Sequence, residues 1–240
     1  MYKYEYSNKI VDLLDSVCKS NESKIDEIST LLSKVIINDK IIHTFGSGHS
    51  HIVGIELFAR AGGLGNVNAM LDADILTSNG AVRGSKIERL SGIADIIYDN
   101  HHIEQGDVMI IISNSGRNAL PIEMAYRCKK EGIYCIGVSA LEQSSSMESR
   151  HPSKKRLYEI VDCVLDIKTP AGDALLDIQG IKTGPSSTIA ATFLLNTIIS
   201  ESIKKAVESG YKPMIFQSQN IDGFSNDDIY KHYENRIKHF

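Results

Sequence analysis

The chain has 240 residues, 42% of them hydrophobic and 23% charged, which is the composition of a folded globular protein and excludes disordered and fibrous classes. Its formal net charge of −4 excludes the basic surface typical of nucleic-acid binders, so we expect no nucleic-acid partner. No apolar run approaches the ~20 residues that span a bilayer, and the N-terminus has no signal-peptide core. With four scattered cysteines, which indicate reduced thiols, this predicts a cytoplasmic protein without a membrane partner.

The first 36 residues predict a long helical region. Apolar residues recur there at intervals of three and four, from Ile10 and Leu13 to Leu32 and Val35, which is the period of a helix with one apolar face. That face needs a covering surface. We therefore expect the N-terminal region to pack against the rest of the domain or against a second copy.

Alternating strands and helices are expected after this region. The strands are expected at 40–45, 107–113, 133–138 and 161–167, and the helices at 50–61, 120–131 and 185–207. Nearly continuous apolar strands are typical of a sheet that is covered on both faces, and strand–helix–strand units give parallel pairing. We predict an α/β fold of three layers, α/β/α, with a central parallel sheet and an N-terminal helical extension.

No flexible linker divides the chain. We therefore predict a single domain over residues 1–240, with a helical region at 1–36, a ligand-binding core at 37–210 and a C-terminal tail at 211–240. The tail holds one apolar segment, Met214–Phe216, a polar loop and a short charged helix.

Gly46–Ser50, which we call loop 1, follows the first predicted strand. Ligands bind at the carboxyl ends of parallel strands, and this loop offers Gly46, Ser47, Gly48 and Ser50 as candidate binding residues. It lacks the Gly-Lys-Ser/Thr of a nucleotide-hydrolysing loop and the third glycine of a dinucleotide site. A phosphorylated metabolite without nucleotide machinery is therefore favoured, and we expect no organic cofactor.

Loop 2, Ser113–Asn118, follows the second predicted strand and precedes a helix. Free N–H groups and the helix dipole attract anions at such a place. The candidate phosphate-binding residues are Ser113, Asn114, Ser115, Gly116, Arg117 and Asn118. The alternative is an ordinary N-cap and turn, because Ser, Asn and Gly are favoured there in any case.

A third hydroxyl-rich segment begins the last long helix. Pro185 suits the first helical position, which places Ser186, Ser187 and Thr188 in the first turn. These hydroxyls suit an anion or sugar hydroxyls, and the alternative is that they only cap the helix.

Four side chains are candidates for acid–base catalysis. Glu56 is the preferred base, because its helix position next to Ile52 places it on a partly desolvated side; the alternative is an i,i+4 ion pair with Arg60. His49 and His51 flank Ser50 at the mouth of loop 1 and suit proton transfer at neutral pH. Glu88 is the alternative carboxylate, and it could equally be an exposed helix residue. We expect no bound metal.

The two loops in this context resemble the SIS (sugar isomerase) domain, a flavodoxin-like fold that binds phosphosugars. The motifs that carry the resemblance are Gly46-Ser-Gly-His-Ser-His51, Arg60-Ala-Gly-Gly63, Ser113-Asn-Ser-Gly-Arg-Asn118 and Ser218-Gln-Asn-Ile-Asp-Gly223. They are most similar to a bacterial branch labelled as phosphoheptose isomerases, and the resemblance covers nearly the whole chain. It implies that Ser113–Asn118 grips a phosphate, although the usual last residue of that loop is Ser or Thr.

Departures from two better-known relatives affect the mechanism. Phosphoheptose isomerases place a His and a Glu one helical turn apart where this chain has Glu56 and Arg60, and no histidine lies between His151 and His232 to match that of their last helix. N-acetylmuramic acid 6-phosphate etherases are similar in the last helix, over Ser186–Asn196, but their catalytic Glu also corresponds to Arg60.

The resemblance implies a sugar phosphate as partner and a homodimer, since SIS domains usually dimerise. The favoured function is an aldose–ketose sugar-phosphate isomerase that works by carboxylate and histidine acid–base catalysis. A non-catalytic phosphosugar-sensing module and a lyase of the etherase type are the alternatives.

Overall fold

The structure is a computed structural model that describes residues 2–240; Met1, part of the predicted helical region, lies outside them. The helices are α1 (Glu5–Ile37), α2 (Ser50–Leu57), α3 (Ala81–Ile87), α4 (Ile93–Asp99), α5 (Ala119–Glu131), α6 (Leu141–Ser146), α7 (Ser187–Glu208) and α8 (Asp227–Tyr233). The strands are β1 (Ile42–Gly46), β2 (Val67–Ala69), β3 (Val108–Ile112), β4 (Tyr134–Ser139), β5 (Cys163–Asp166), β6 (Leu176–Ile178) and β7 (Ile181–Thr183). Among the described helices, none combines the length and apolarity needed to cross a membrane.

Five parallel strands form the central sheet in the order β2-β1-β3-β4-β5. The chain therefore reverses direction across the sheet between β1 and β3, as in flavodoxin-like folds. All residues of β1 and β3 are buried, which explains the continuous apolar run of β3, whereas β1 buries the polar His43 and Thr44 as well. The predicted α/β class with a parallel sheet is confirmed.

Helices cover both faces of this sheet. On one face α1 and α7 pack over residues such as Ile110, and on the other face α4 and α5 pack over Met109 and Ile111. Successive side chains of β3 point to opposite faces, so one strand contributes to two cores. The apolar stripe of α1 is covered largely by α7 of the same chain. A second copy is therefore not needed to cover this stripe, and the stripe is no argument for a dimer.

The C-terminal tail closes a third, smaller core around Phe216, Ile229 and Ile237. It runs beside the segment after α2, where the Gly62 N–H donates to the Phe216 carbonyl at 2.9 Å and the Gly65 N–H donates to the Met214 carbonyl at 2.8 Å. The Arg60–Gly63 motif thus leads directly into the segment on which the tail docks.

Several elements differ from the predicted ones. Helix α2 ends at Leu57, not at Ala61, because Phe58 leaves the helix and stacks on Phe240 with 5.4 Å between ring centroids. Helix α7 begins at Ser187 with Ser186 as its N-cap, so Pro185 precedes the helix. The strand β2, the short helices α3, α4 and α6, and the β6–β7 hairpin were not predicted, because they are short and show no clear apolar period.

Candidate functional site

Loops 1 and 2 leave the sheet side by side. Gly46 at the end of β1 is in register with Ile112 at the end of β3, so the two loops start at the same edge. This is the point where the strand order reverses, which is where open α/β sheets bind ligands. The topology thus brings together the two loops that the sequence singles out.

Loop 2 forms a compact turn with free amide groups. Gly116 adopts a φ of +57°, and its N–H donates to Ser113 Oγ at 3.2 Å. Within residues 2–240, the N–H groups of Ser115, Arg117 and Asn118 have no acceptor, and neither does the Ser115 hydroxyl. Unpaired amides of successive residues at a helix start form a concave site for anions.

The side chain of Asn114 holds this turn in place. Its amide nitrogen donates to Gln143 Oε1 at 3.1 Å, and its oxygen accepts from Thr169 Oγ1 at 2.9 Å. Both polar ends are thereby used within the protein. Asn114 shapes loop 2 and does not present its side chain to a ligand.

Loop 1 is a tight turn into α2. A Cβ on Gly46 would lie 2.8 Å from Ser50 Cβ, so a larger residue would displace the helix start. The Gly48 N–H donates to the Ile75 carbonyl at 2.8 Å. His49 and Ser50 line a narrow cleft together with Asn114, Ser187 and Thr188, and this cleft is where loops 1 and 2 and α7 meet.

Glu88 bridges the two loops. Its carboxylate accepts from Ser47 Oγ of loop 1 at 3.0 Å and from Asn118 Nδ2 of loop 2 at 2.7 Å. Its carbonyl also accepts from the Leu120 N–H at 3.2 Å. The half-buried Glu88 is therefore fixed between the loops, whereas the sequence offered it only as an alternative.

Glu56 lies elsewhere. It forms an ion pair with Arg60, and Asn196 Nδ2 approaches the same carboxylate oxygen at 3.5 Å. These residues line a groove of about 300 Å³ between α2 and α7 that contains no residue of loop 1 or loop 2. The structure thus separates the preferred carboxylate from the loops and places it in the i,i+4 pair.

His51 is buried, with 2% of its surface exposed. Neither ring nitrogen has a hydrogen-bond partner in the described part of the chain. Burial lowers the pKa of His51 from 6.5 to about 4, opposed only by the negative charge of Asp72. Its imidazole is neutral at neutral pH, while exposed His49 borders the cleft.

The amino end of α7 is already capped by a carboxylate. Asp173 accepts from the N–H groups of Ser186 and Ser187 at 3.0 and 2.7 Å, and from their hydroxyls at 2.9 and 2.6 Å. An anion at this helix end is stabilised by the dipole, and Asp173 supplies it. Of the three predicted residues, Ser187 and Thr188 line the cleft, and of these two only Ser187 has its hydroxyl bonded to Asp173.

A buried polar network lies at the amino ends of the strands, opposite loops 1 and 2, and it was not predicted from the sequence. Asp107 Oδ2 receives His43 Nε2 at 3.0 Å and Arg236 at 2.8 Å, and His43 Nδ1 lies 2.9 Å from Asn68 Nδ2. Burial raises the pKa of Asp107, but the bonds from His43 and two backbone amides outweigh it, so the net pKa is lowered. The sequence signal was only a pair of polar residues, His43 and Asn68, inside short apolar strands.

Within the described residues, no three His, Cys, Asp or Glu side chains are grouped as a metal site would require. The tail motif Asn220–Gly223 is exposed. It belongs to the tail that docks beside residues 62–65, and it is not part of the cleft between loops 1 and 2.

Comparison with known proteins agrees with this architecture. The SIS domain model matches residues 5–140. A UPF0309 protein of Halalkalibacterium halodurans is 38% identical over 236 residues, covering 97% of this chain and 94% of that protein. The structure is similar to phosphoheptose isomerase GmhA of Neisseria gonorrhoeae, with a TM-score of 0.57, 15% identity and coverage of 82% of this chain and 94% of that one.

It is also similar to the Vibrio vulnificus NanR protein complexed with ManNAc-6P, with a TM-score of 0.51, 15% identity and coverage of 85% of this chain and 63% of that one. At such identities these two structures establish the fold. The family model spans more than half of the chain, and it shows that this protein belongs to the SIS domain family.

Proposed function

We propose that the protein binds a sugar phosphate, with the phosphate on loop 2 and the sugar over loop 1. The observation that carries this proposal is the set of free amides of Ser115, Arg117 and Asn118 beside the Ser115 hydroxyl. They lie at the start of α5, where the helix dipole favours a negative charge. The sugar phosphate in the NanR structure, a protein of the same fold, supports the same ligand class.

We further propose that the bound sugar phosphate is isomerised between aldose and ketose. This reaction needs one group that moves a proton between neighbouring carbons and one that serves the two oxygens. Glu88 is the carboxylate that touches both loops. In our scheme it takes the proton from C2 of the aldose and returns it to C1, while His49 transfers a proton from O2 to O1.

Other candidates are less suited to these roles. The carboxylate of Glu56 is paired with Arg60 in a separate groove. Burial makes His51 a weak base, with a pKa of about 4. We therefore rank Glu88 above Glu56, and His49 above His51.

Solvent deuterium exchange tests the reaction. The protein is incubated in D₂O with a panel of aldose and ketose phosphates, and deuterium at C1 and C2 is followed by NMR. We expect incorporation that is lost in Glu88→Gln and retained in Glu56→Gln. Loss in Glu56→Gln alone would contradict the assignment of the base, and tight binding without exchange would favour a phosphosugar-sensing module.

Binding is tested separately by Ser115→Ala. The variant removes a hydroxyl that has no hydrogen-bond partner among residues 2–240, so its effect on folding is small. Loss of a hydrogen bond to a charged group weakens binding by about 1–3 kcal/mol, measured by calorimetry with the sugar phosphate that binds tightest. Unchanged affinity would remove loop 2 from the site.

We also propose a homodimer. Exposed apolar side chains on α2 and α7, namely Ile52, Ile55, Ile189 and Phe193, lie on the two helices that border the cleft. A contiguous exposed apolar surface is typical of an interface. Light scattering tests this, and a monomeric mass at micromolar concentration would contradict it.

A further inference from the structure

The arginines of this chain divide into two groups. Five of them pair with a carboxylate, namely Arg60, Arg83, Arg127, Arg156 and Arg236. The others are Arg89, Arg117 and Arg150, and none of these three forms a salt bridge with any residue that the structure describes. Guanidinium groups usually pair with carboxylates or phosphates, so three unmatched ones that lie together would form a binding site for an anion.

The three arginines, which we call the arginine cluster, are brought together beside loop 2. The Arg150 N–H donates to the Arg117 carbonyl at 2.8 Å, and the Arg150 guanidinium donates to Asn118 Oδ1 at 3.0 Å. Arg89 follows Glu88, which is bonded to Asn118 and to the Leu120 N–H. Residues distant in sequence thus place three cations around the end of the candidate phosphate loop.

The cluster carries surplus positive charge. Partial desolvation and the charges of Arg117 and Arg89 lower the pKa of Arg150, and Glu88 is the opposing anion. Three arginines against one carboxylate leave a surplus of about two charges. Among the described residues, the Arg117 guanidinium donates only to Met147 Sδ, at 3.5 Å, and its buried Nε has no acceptor.

Asn118 explains how the cluster is attached to loop 2. Its amide spans from Glu88 Oε1, at 2.7 Å, to the Arg150 guanidinium, at 3.0 Å. SIS domains usually have Ser or Thr at this loop position. A Ser or Thr side chain has a single polar atom, so it could not bond to Glu88 and to Arg150 from two separate atoms as Asn118 does. The departure from the family pattern therefore coincides with the attachment of Arg150.

We propose that the arginine cluster binds a second anionic group, a carboxylate or a phosphate, of the sugar phosphate whose first phosphate lies on loop 2. The ligand class is then a sugar phosphate with two acidic groups. This inference rests on the proposed function, because the first phosphate fixes the ligand beside the cluster. Charge-assisted pairing with guanidinium groups is directional and strong, so the second acidic group sets the specificity.

Calorimetry with matched ligand pairs tests the proposal on the full-length protein. Fructose 1,6-bisphosphate is compared with fructose 6-phosphate, and 6-phosphogluconate with glucose 6-phosphate. We expect at least one doubly acidic ligand to bind about tenfold or more tightly than its partner, since ~1.4 kcal/mol corresponds to a factor of ten. The pair with the larger ratio identifies the second anion as phosphate or carboxylate.

Variants assign the effect to the cluster. The side chain of Arg89 donates one hydrogen bond among residues 2–240, to Ser85 Oγ at 3.3 Å. Arg89→Gln should reduce the ratio within the pair and leave the affinity for the singly phosphorylated sugar unchanged. Arg150→Gln should reduce the ratio as well. Arg83→Gln is the matched control, because Arg83 is already paired with Asp74, and it should leave the ratio unchanged.

Three results would overturn the inference. Equal affinities within both pairs would refute it while the proposed function stands. An equal loss of affinity for both members of a pair in Arg89→Gln would assign the cluster to the first phosphate. Failure of every sugar phosphate to bind would refute the proposed function itself, and the inference with it.

Discussion

Burial of His51 predicts that the protein loses stability when the pH falls below the ordinary pKa of histidine. In the folded state the pKa is about 4, lowered from 6.5 mainly by burial. Between these values the unfolded chain binds a proton that the folded chain does not. The contribution is therefore fully present above pH 6.5 and is lost progressively as the pH falls.

The size of the effect follows from the two pKa values. At pH 5 the medium is about 1.5 pH units below 6.5, and each unit corresponds to about 1.36 kcal/mol. His51 alone should therefore lower the free energy of unfolding by about 2 kcal/mol between pH 7 and pH 5. Buried His101 and His43, whose pKa values are also lowered by burial, add to the loss in the wild type.

Urea unfolding at pH 7, 6 and 5 measures this loss. In His51→Gln the decrease between pH 7 and pH 5 should be smaller than in the wild type by about 2 kcal/mol, whatever the stability of the variant at pH 7. His49→Gln, at an exposed histidine, serves as the control and should retain the wild-type decrease. The same decrease in His51→Gln and in the wild type would refute the reasoning.

Two further predictions concern the loop 2 turn and the opposite edge of the sheet. Gly116→Ala should destabilise the fold by about 1–2 kcal/mol, because a left-handed residue with a Cβ is strained and that Cβ would lie 3.0 Å from Ser144 Oγ; an unchanged urea midpoint would contradict this. Asp107→Ala should cost about 2–4 kcal/mol, because it leaves two buried donors, His43 Nε2 and the Ile41 N–H, without their acceptor and each unpaired donor costs about 1–3 kcal/mol. The double variant with Arg236→Ala should then cost less than the sum of the two single changes, and strict additivity in unfolding experiments would contradict the pairing.

The fold class and the meeting of the two loops follow from the sequence for a simple reason. Long buried strands such as 108–112 are visible as apolar runs, and parallel topology forces their carboxyl ends to one edge. The order of the five strands could not be predicted without β2. This strand has only three residues, Val67–Ala69, and one of them is the polar Asn68. Such a strand is defined by its neighbours and not by its own pattern.

The chemistry of the site was harder to predict because it depends on pairing between distant residues. The helix period correctly placed Glu56 one turn from Arg60, but not the groove that separates them from loop 1. The role of Glu88 depends on Ser47 and Asn118, and the amino end of α7 is occupied by Asp173, 13 residues before Ser186. The apolar period of a sequence predicts single helices and strands, whereas these contacts join residues of several different elements.

The ion pair between Asp107 and Arg236, separated by 129 residues, has a consequence for the order of assembly. Protein synthesis proceeds from the N-terminus and domains fold as units, so every strand of the sheet leaves the ribosome before Arg236 does. The edge of the sheet that carries loops 1 and 2 can therefore form before Asp107 is paired with Arg236. A residue made after every strand of the sheet therefore completes the interior, and a chain terminated before Arg236 would leave Asp107 without this cation.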